Sequence, residues 1–302
     1  MSLYHTYRPT ELKNIVGNKA TIASIESVLA RTKDWPHAWL FTGNSGCGKT
    51  TAARIIAKRL GVADMDLQEL NIANFRGIDN AREIQEQMRL RPLGGKYRAW
   101  ILDEVAAATK DFQTAMLKCL EDTPDHVFFF LCTTDPQKLL KTIINRCHEF
   151  KMEALTDIQL ASLLNSVIKA EQVKIPDDVV KQIAQDALGS PRAALTMLDK
   201  IIDMEPDAML EAAKKAAAEA SETIALCRIL LKGGSWATVA GVLRGLEAEP
   251  EQIRQAVLGY MNAVLLKEDN AKAWAIMDAL REPLHYNGRP GLTMACYEAI
   301  KA

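Results

Sequence analysis

The chain has 302 residues, 48% of them hydrophobic and 25% charged, with a formal net charge of -1. This is the composition of a globular protein of two or three domains, and it argues against a globally basic one while leaving room for a local basic strip. The longest apolar run, Val127 to Cys132, is far too short to span a bilayer, and Met1-Ser2-Leu3-Tyr4-His5 has neither the basic start nor the apolar stretch of a signal peptide, so no membrane partner is expected.

Along the first half, apolar strands are predicted at Ala38–Phe41, Leu67–Ile72, Ala99–Leu102, Val127–Cys132 and Cys147–Phe150. Helix-period stretches lie between them. One runs from Thr51 to Leu60. Another runs from Thr109 to Glu121, where Phe112, Ala115, Met116, Cys119 and Leu120 share a face. The alternation predicts a parallel sheet covered on both sides. After about residue 152 the strands stop. Thr156-Asp157-Ile158-Gln159 reads as a capping box opening a helix that buries Leu160, Leu163, Leu164, Val167 and Ile168. A second helix, from near Pro176, buries Val179, Val180, Ile183, Ala184, Ala187 and Leu188 and ends at Gly189; a third opens at Ser190-Pro191. From Glu205 the chain is rich in alanine and leucine at helical spacing, broken at Gly233-Gly234, at Pro250 and around Asn287 to Gly291. The run from Ala212 to Ala220 reads as an exposed helix on propensity. The expected fold is α/β followed by all-α, with boundaries 1–152, 153–204 and 205–302. The six cysteines are scattered and form no C-x-x-C pair, which suggests neither a zinc ribbon nor a disulfide framework and fits a reducing, cytoplasmic setting.

Gly43-Asn44-Ser45-Gly46-Cys47-Gly48-Lys49-Thr50 matches G-x-x-x-x-G-K-[ST] between a predicted strand and a predicted helix opening at Thr51. Such glycines let backbone N–H groups curl around phosphate oxygens, and the helix N-terminus adds partial positive charge. Lys49 would reach the β- and γ-phosphates of ATP, and the Thr50 hydroxyl would ligate Mg2+. Asp103 and Glu104 end an apolar strand. Asp103 suits the Mg2+-holding acid of a P-loop site, and Glu104 suits a base that orients the attacking water. In a parallel sheet Thr134, just after the next strand, lies on the same edge, where it either meets the γ-phosphate or water or is simply a turn residue. Arg192 falls in the first turn of its helix, where the macrodipole disfavours a cation by a few tenths of a kcal/mol, roughly. A nearby anion is therefore expected, either a bound triphosphate or a carboxylate such as Asp186.

Arg146 precedes its strand, whereas the phosphate-binding groups follow theirs. A strand is roughly 17 Å long, so Arg146 should lie on the opposite sheet edge, out of reach of its own nucleotide. Either it serves the phosphate of another subunit, or it makes a surface ion pair with Glu149 or a similar residue. Between Arg76 and Arg98 the basic residues Arg76, Arg82, Arg89, Arg91, Lys96 and Arg98 outnumber Asp79, Glu83 and Glu86. Without aromatic alternation, such a strip would touch a nucleic-acid backbone only.

Taken in order, Tyr7-Arg8-Pro9, Ile15-Val16-Gly17, the phosphate loop, Asp103-Glu104, Thr133-Thr134-Asp135-Pro136-Gln137-Lys138, Asn145-Arg146-Cys147 and Gly189-Ser190-Pro191-Arg192 resemble the clamp-loader ATPases, a branch of the AAA+ family. The likeness covers roughly residues 4 to 203. T-T-D-P-Q-K-L is similar to the bacterial DNA polymerase III gamma/tau form, and Arg76-Gly77-Ile78-Asp79 with Arg82 to the replication factor C small-subunit form. The resemblance implies an AAA+ P-loop domain, a helical lid over 153–204 and a helical collar over 205–302. It implies that Tyr7, Arg8, Pro9 and Val16 border the adenine. Gly43, Asn44, Ser45, Gly46, Cys47, Gly48, Lys49, Thr50, Thr51 and Arg192 would bind the nucleotide. Thr134 would be sensor 1, Arg192 sensor 2 and Arg146 the arginine finger, while Arg76, Arg82 and Lys110 would face DNA. It further implies a five-subunit ring with other loader subunits, with ATP and Mg2+ at the subunit interfaces. ATP binding would open a sliding clamp, and primer–template DNA would trigger hydrolysis. Three departures stand out. Asn145 replaces the family serine, the four-cysteine zinc module between the P-loop and Asp103 is missing, and the short remainder after Arg192 suggests a compact loader without a tau-like extension. Two rivals are a branch-migration helicase, not expected to carry Arg-Gly-Ile-Asp and Arg-Cys, and a non-hydrolysing ring subunit, which Lys49, Thr50 and Glu104 oppose.

Overall fold

The structure, a computed structural model, describes residues 2–31, 34–75, 77–206, 208–213, 222–246, 249–266, 269–284 and 288–301. Its sheet contains β1 Ala38–Thr42, β2 Val62–Asn71, β3 Tyr97–Asp103, β4 Val127–Thr133 and β5 His148–Lys151. All pairings are parallel, in the order β2-β3-β4-β1-β5. Helices α1 Lys19–Leu29, α2 Lys49–Leu60, α3 Ile78–Gln87 and α4 Lys110–Glu121 belong to the same unit. Each central strand buries both faces. Trp39, Phe41, Ala99, Ile101, Phe128 and Phe130 pack with α1 and α2, while Leu40, Trp100, Leu102, Phe129 and Leu131 pack with α3 and α4. Such strands read as near-continuous apolar runs, as a parallel sheet requires.

β2 begins well before the expected Leu67. A register shift between Val62 and Leu67 breaks its alternation, and Asp66 sits in that irregular part. This buried carboxylate accepts from the backbone N–H groups of Leu93 (2.7 Å), Gly94 (2.8 Å) and Gly95 (2.9 Å) and faces Arg98 at 3.8 Å. Burial pushes the Asp66 carboxyl up, but the three amides and Arg98 outweigh it and hold it below the usual range. Arg98 is itself buried and donates to the Gln87 carbonyl at 2.9 Å. It therefore leaves the basic strip to which the sequence reading assigned it.

Backbone contacts group residues 1–167 with 189–192 in one unit and 168–188 with 193–302 in a second. α5 Asp157–Ala170 opens with the anticipated capping box: Thr156 N–H donates to Gln159 Oε1 (3.0 Å), and Gln159 N–H to Thr156 Oγ1 (3.3 Å). Leu160, Leu164, Val167 and Ile168 are buried, and Leu163 is half-buried. α6 Asp177–Asp186 buries Val179, Val180, Ile183 and Ala184. Leu188, expected inside, is exposed. The chain leaves the helix at Ala187, and Leu188 takes a left-handed φ of +47° that turns it off the apolar face. α7 Pro191–Ile201 follows, then α8 Glu222–Lys232, α9 Trp236–Gly245, α10 Pro250–Leu265, α11 Ala271–Ala279 and α12 Gly288–Lys301. α8 to α12 share a core that includes Leu226, Leu230, Val257, Met261, Ile276 and Cys296. The breaks at Gly233-Gly234 and Pro250 are present, whereas α12 runs through Pro290 and Gly291. Asn287 and most of the alanine run lie outside the described residues. Among the described residues no helix is long and apolar enough to cross a membrane.

In this second unit Glu251, in the first turn of α10, accepts from Arg254 Nη2 (2.6 Å), Gln255 Nε2 (3.2 Å) and the Leu284 N–H (2.8 Å). Arg254 also donates to the Leu280 carbonyl (2.9 Å), joining α10 to the end of α11. The Arg254 bonds lead in holding Glu251 down, from an ordinary 4.5 to about 2. A depressed carboxylate contributes stability above its unfolded pKa and loses it as pH falls through the folded one. Stability should therefore fall between pH 4.5 and about 2. Arg254→Met should cost up to about 3 kcal/mol at neutral pH and flatten that acid limb. Urea melts of both chains across this range check it.

Candidate nucleotide-binding site

Because the strands are parallel, β1, β3, β4 and β5 deliver Gly43, Asp103-Glu104, Thr133-Thr134 and Met152 to one sheet edge. The Gly43 N–H reaches the Thr133 carbonyl (3.3 Å), and the Met152 N–H reaches that of Thr42 (2.7 Å). A Cβ on Gly43 (φ +143°) would lie 2.0 Å from the Met152 carbonyl oxygen, and one on Gly46 (φ +75°) would lie 2.2 Å from Ser190 Oγ. Only glycine fits either place. Asn44 and Ser45 are exposed at the loop tip, and Gly48 caps α2, whose first residues are Lys49, Thr50 and Thr51. Cys47 is buried beneath the loop, and burial pushes its thiol up. It packs rather than reacts.

Lys49 Nζ donates to the carbonyls of Gly43 (2.7 Å) and Asn44 (2.8 Å). An ammonium has three donors, so one remains for a ligand. Thr50 Oγ1 donates to Asp103 Oδ2 at 2.7 Å. Two hard oxygen donors thus meet at the foot of the loop, which is the donor chemistry of Mg2+. Glu104, next along, is exposed in a left-handed conformation (φ +53°), with its N–H on Asp103 Oδ1 (3.0 Å). Thr133 is buried and accepts from the Asp135 N–H (3.0 Å), whereas Thr134 is exposed beside Gly43.

The N-terminal segment is tied to the same edge. Asn18 exchanges two bonds with the Glu153 backbone (3.1 and 2.7 Å), and Thr21 Oγ1 donates to the Lys151 carbonyl (2.8 Å). These pin the stretch containing Tyr7, Arg8, Pro9 and Val16, all half-buried. Arg8 Nε donates to Thr51 Oγ1 at 3.0 Å, and burial lowers its pKa. Arg192 sits beside Gly46 and donates to the Tyr4 hydroxyl at 3.1 Å. Asp186, the carboxylate suggested for it, instead pairs with Arg228 and accepts from Gln182 (2.9 Å).

Arg146 lies at the other edge. Lys151, at the end of β5, pairs with Thr42. β5 starts at His148, three residue steps or roughly 10 Å from that level, and Arg146 lies in the turn before it. Its guanidinium pairs with Glu121, the last residue of α4, and donates to the Thr142 carbonyl (2.9 Å). The expected pair with Glu149 does not form, because Glu149 accepts from Thr42 Oγ1 (3.1 Å). Asn145 is exposed and closes the turn Lys141–Ile144. Arg82 is exposed on α3, 3.2 Å from Asp79. Lys110 is exposed as the first residue of α4, behind the Thr109 cap. Arg76 lies outside the described residues.

Gln113 was missed, although a glutamine on the otherwise apolar face of α4 is a visible signal. It is buried and donates to the carbonyls of Ala108 (3.4 Å) and Lys138 (3.2 Å) while accepting from the Leu140 N–H (2.8 Å). One side chain thereby joins the turn after Glu104 to the segment between Thr134 and Arg146. Gln113→Leu leaves these backbone groups unpaired and should cost about 2–3 kcal/mol in urea unfolding.

The family described as DNA polymerase III, delta subunit, matches residues 62–156, and the Rad17 P-loop domain matches residues 2–91. DNA polymerase III subunit tau of Bacillus subtilis is 31% identical over 227 residues, covering 68% of this chain and 40% of that protein. Subunit gamma/tau of Mycobacterium tuberculosis is 32% identical over 225 residues, covering 67% of this chain and 39% of that protein. The chain thus spans about two fifths of the length of these relatives. The Thermotoga maritima RuvB Holliday junction branch migration motor superposes with a TM-score of 0.64 at 20% identity, covering 85% of this chain and 91% of that one. At that identity the likeness is one of fold.

Proposed function

This chain belongs to the clamp-loader branch of the AAA+ ATPases, the family of the bacterial DNA polymerase III gamma and tau subunits, and from that premise we propose that it is an ATP-hydrolysing motor subunit of a sliding-clamp loader. What supports the reading is that Lys49, Thr50 and Asp103 gather at one sheet edge while Arg146 stands in the turn at the opposite end of β5. A site of this kind is completed by a second subunit.

In this reading the loop N–H groups from Gly43 to Thr51 cradle the phosphates, and Tyr7, Arg8, Pro9 and Val16 border the base. Thr50 and Asp103 hold Mg2+, which when bound neutralises phosphate charge. Glu104 takes the proton of the attacking water, and Thr134 orients that water. Lys49, Arg192 and Arg146 of a neighbouring copy offset the charge that develops in the transition state. Residues 153–204 act as the lid and 205–302 as the collar of a five-subunit ring with other loader subunits. Arg82, Lys110 and Arg76 touch the backbone of primer–template DNA. The exposed Arg82–Asp79 pair costs little to give up. The setting is the cytoplasm.

The test is ATP hydrolysis measured with primer–template DNA and the cognate clamp, for the chain alone and with its partner subunits. Stimulation by clamp and DNA together is expected. Its absence in every combination would refute clamp loading.

A further inference from the structure

Tyr4 stands outside the set of residues assigned to the nucleotide, yet it touches both arginines that serve it. Arg192 Nη2 donates to its hydroxyl at 3.1 Å, and the Arg192 guanidinium carbon lies 4.9 Å from its ring centroid. The Arg8 guanidinium faces the same ring at 6.0 Å, while Arg8 Nε holds Thr51 Oγ1 at 3.0 Å. Arg192 is anchored beside the phosphate loop, since its Cβ lies 3.2 Å from where a Cβ on Gly46 would stand. Two cations of like sign therefore converge on one aromatic ring next to an anion-binding loop. The ring face and the hydroxyl offset their repulsion while the loop is empty. A terminal phosphate offers Arg192 a charged, bidentate partner instead.

We propose that Tyr4 is a positioning residue: it holds Arg192 at rest and yields it to the terminal phosphate of a nucleoside triphosphate, so that it tunes discrimination between triphosphate and diphosphate. This rests on Arg192 serving the terminal phosphate. A ligand shifts an equilibrium only by its differential affinity for the two states. In this latch a triphosphate draws the Arg192 guanidinium off the Tyr4 hydroxyl, whereas a diphosphate, lacking the terminal phosphate, leaves that contact intact. Tyr4 thus lowers triphosphate affinity and leaves diphosphate affinity unchanged.

The experiment is competition of ADP and of a non-hydrolysable ATP analogue, each with Mg2+, against a fluorescent nucleotide. It compares the parent chain with Tyr4→Phe, Tyr4→Leu, Arg192→Ala and Tyr4→Phe/Arg192→Ala. Tyr4→Phe keeps the ring and loses the hydroxyl. It should tighten the triphosphate analogue by about three- to tenfold, the equivalent of one hydrogen bond, and leave ADP within about twofold. Tyr4→Leu removes the ring as well and should tighten the analogue further. Arg192→Ala should weaken the analogue and abolish the effect of Tyr4→Phe. The proposal is overturned if Tyr4→Phe shifts both nucleotides equally, as a structural role would, if it weakens the analogue, or if its effect persists without Arg192. If Arg192→Ala leaves analogue binding unchanged, the assignment of Arg192 itself falls, and the proposal with it. A neutral Tyr4→Phe beside a damaging Arg192→Ala refutes the latch alone.

Discussion

Glu104→Gln should bind ATP as tightly as the parent chain and hydrolyse it about 10²- to 10³-fold more slowly, the range a general base supplies. The substitution keeps size and reach and removes the charge and the basicity. The backbone at this residue gives a second, independent handle. Glu104 holds a left-handed φ of +53°, which costs a side-chain-bearing residue on the order of 1 kcal/mol. Its N–H sits on Asp103 Oδ1 at 3.0 Å, and its carbonyl accepts from Ala107 at 2.9 Å. Glu104→Gly removes the side chain and relaxes the conformation. It should unfold within about 1 kcal/mol of the parent, on the more stable side, and be as inactive as the glutamine variant. Rapid-quench hydrolysis and urea melts of the two variants check both halves. A glutamine variant that turns over at the parent rate would end the assignment of Glu104 as the base. A glycine variant that loses several kcal/mol would mean that the side chain is structural.

What could be read in the sequence was local chemistry. The phosphate loop is contiguous, and its function lies in backbone N–H groups and the torsions that glycine permits. The central strands were legible because Trp39, Phe41, Trp100, Ile101, Phe129 and Phe130 fill both faces of a covered sheet. The start of β2 was not, because Asp66 is buried against the amides of Leu93, Gly94 and Gly95 and against Arg98, about thirty residues on. The same limit governs the site. Arg192 meets Tyr4 across 188 positions, and Arg146 meets Glu121 across 25, so neither partner follows from spacing. Polarity proved the better guide than pairing. That the strands are parallel placed Arg146 away from its own loop whatever it touched, while the named carboxylates, Glu149 and Asp186, were both engaged elsewhere.

Arg146→Ala should fold normally, bind nucleotide normally and, once assembled, hydrolyse about 10³-fold more slowly or worse at every interface it faces. The resting contacts explain why folding survives: an exposed pair with Glu121 and a bond to the Thr142 carbonyl contribute at most about 1 kcal/mol. Arg146→Lys should behave nearly as badly, because lysine keeps the charge but loses the planar fork that meets phosphate through two bonds. The decisive measurement mixes subunits. Lys49→Ala empties its own loop but still presents Arg146; Arg146→Ala keeps its loop and lacks the arginine. Each alone should be inactive. If Arg146 acts across the interface, assemblies formed from both contain sites where an intact loop faces an intact arginine, and hydrolysis should reappear in proportion to them. If Arg146 acted on its own nucleotide, no mixture would contain such a site and none would recover. Recovery is the expected result because Arg146 lies in the turn before β5 begins, whereas the loop edge lies past the end of that strand.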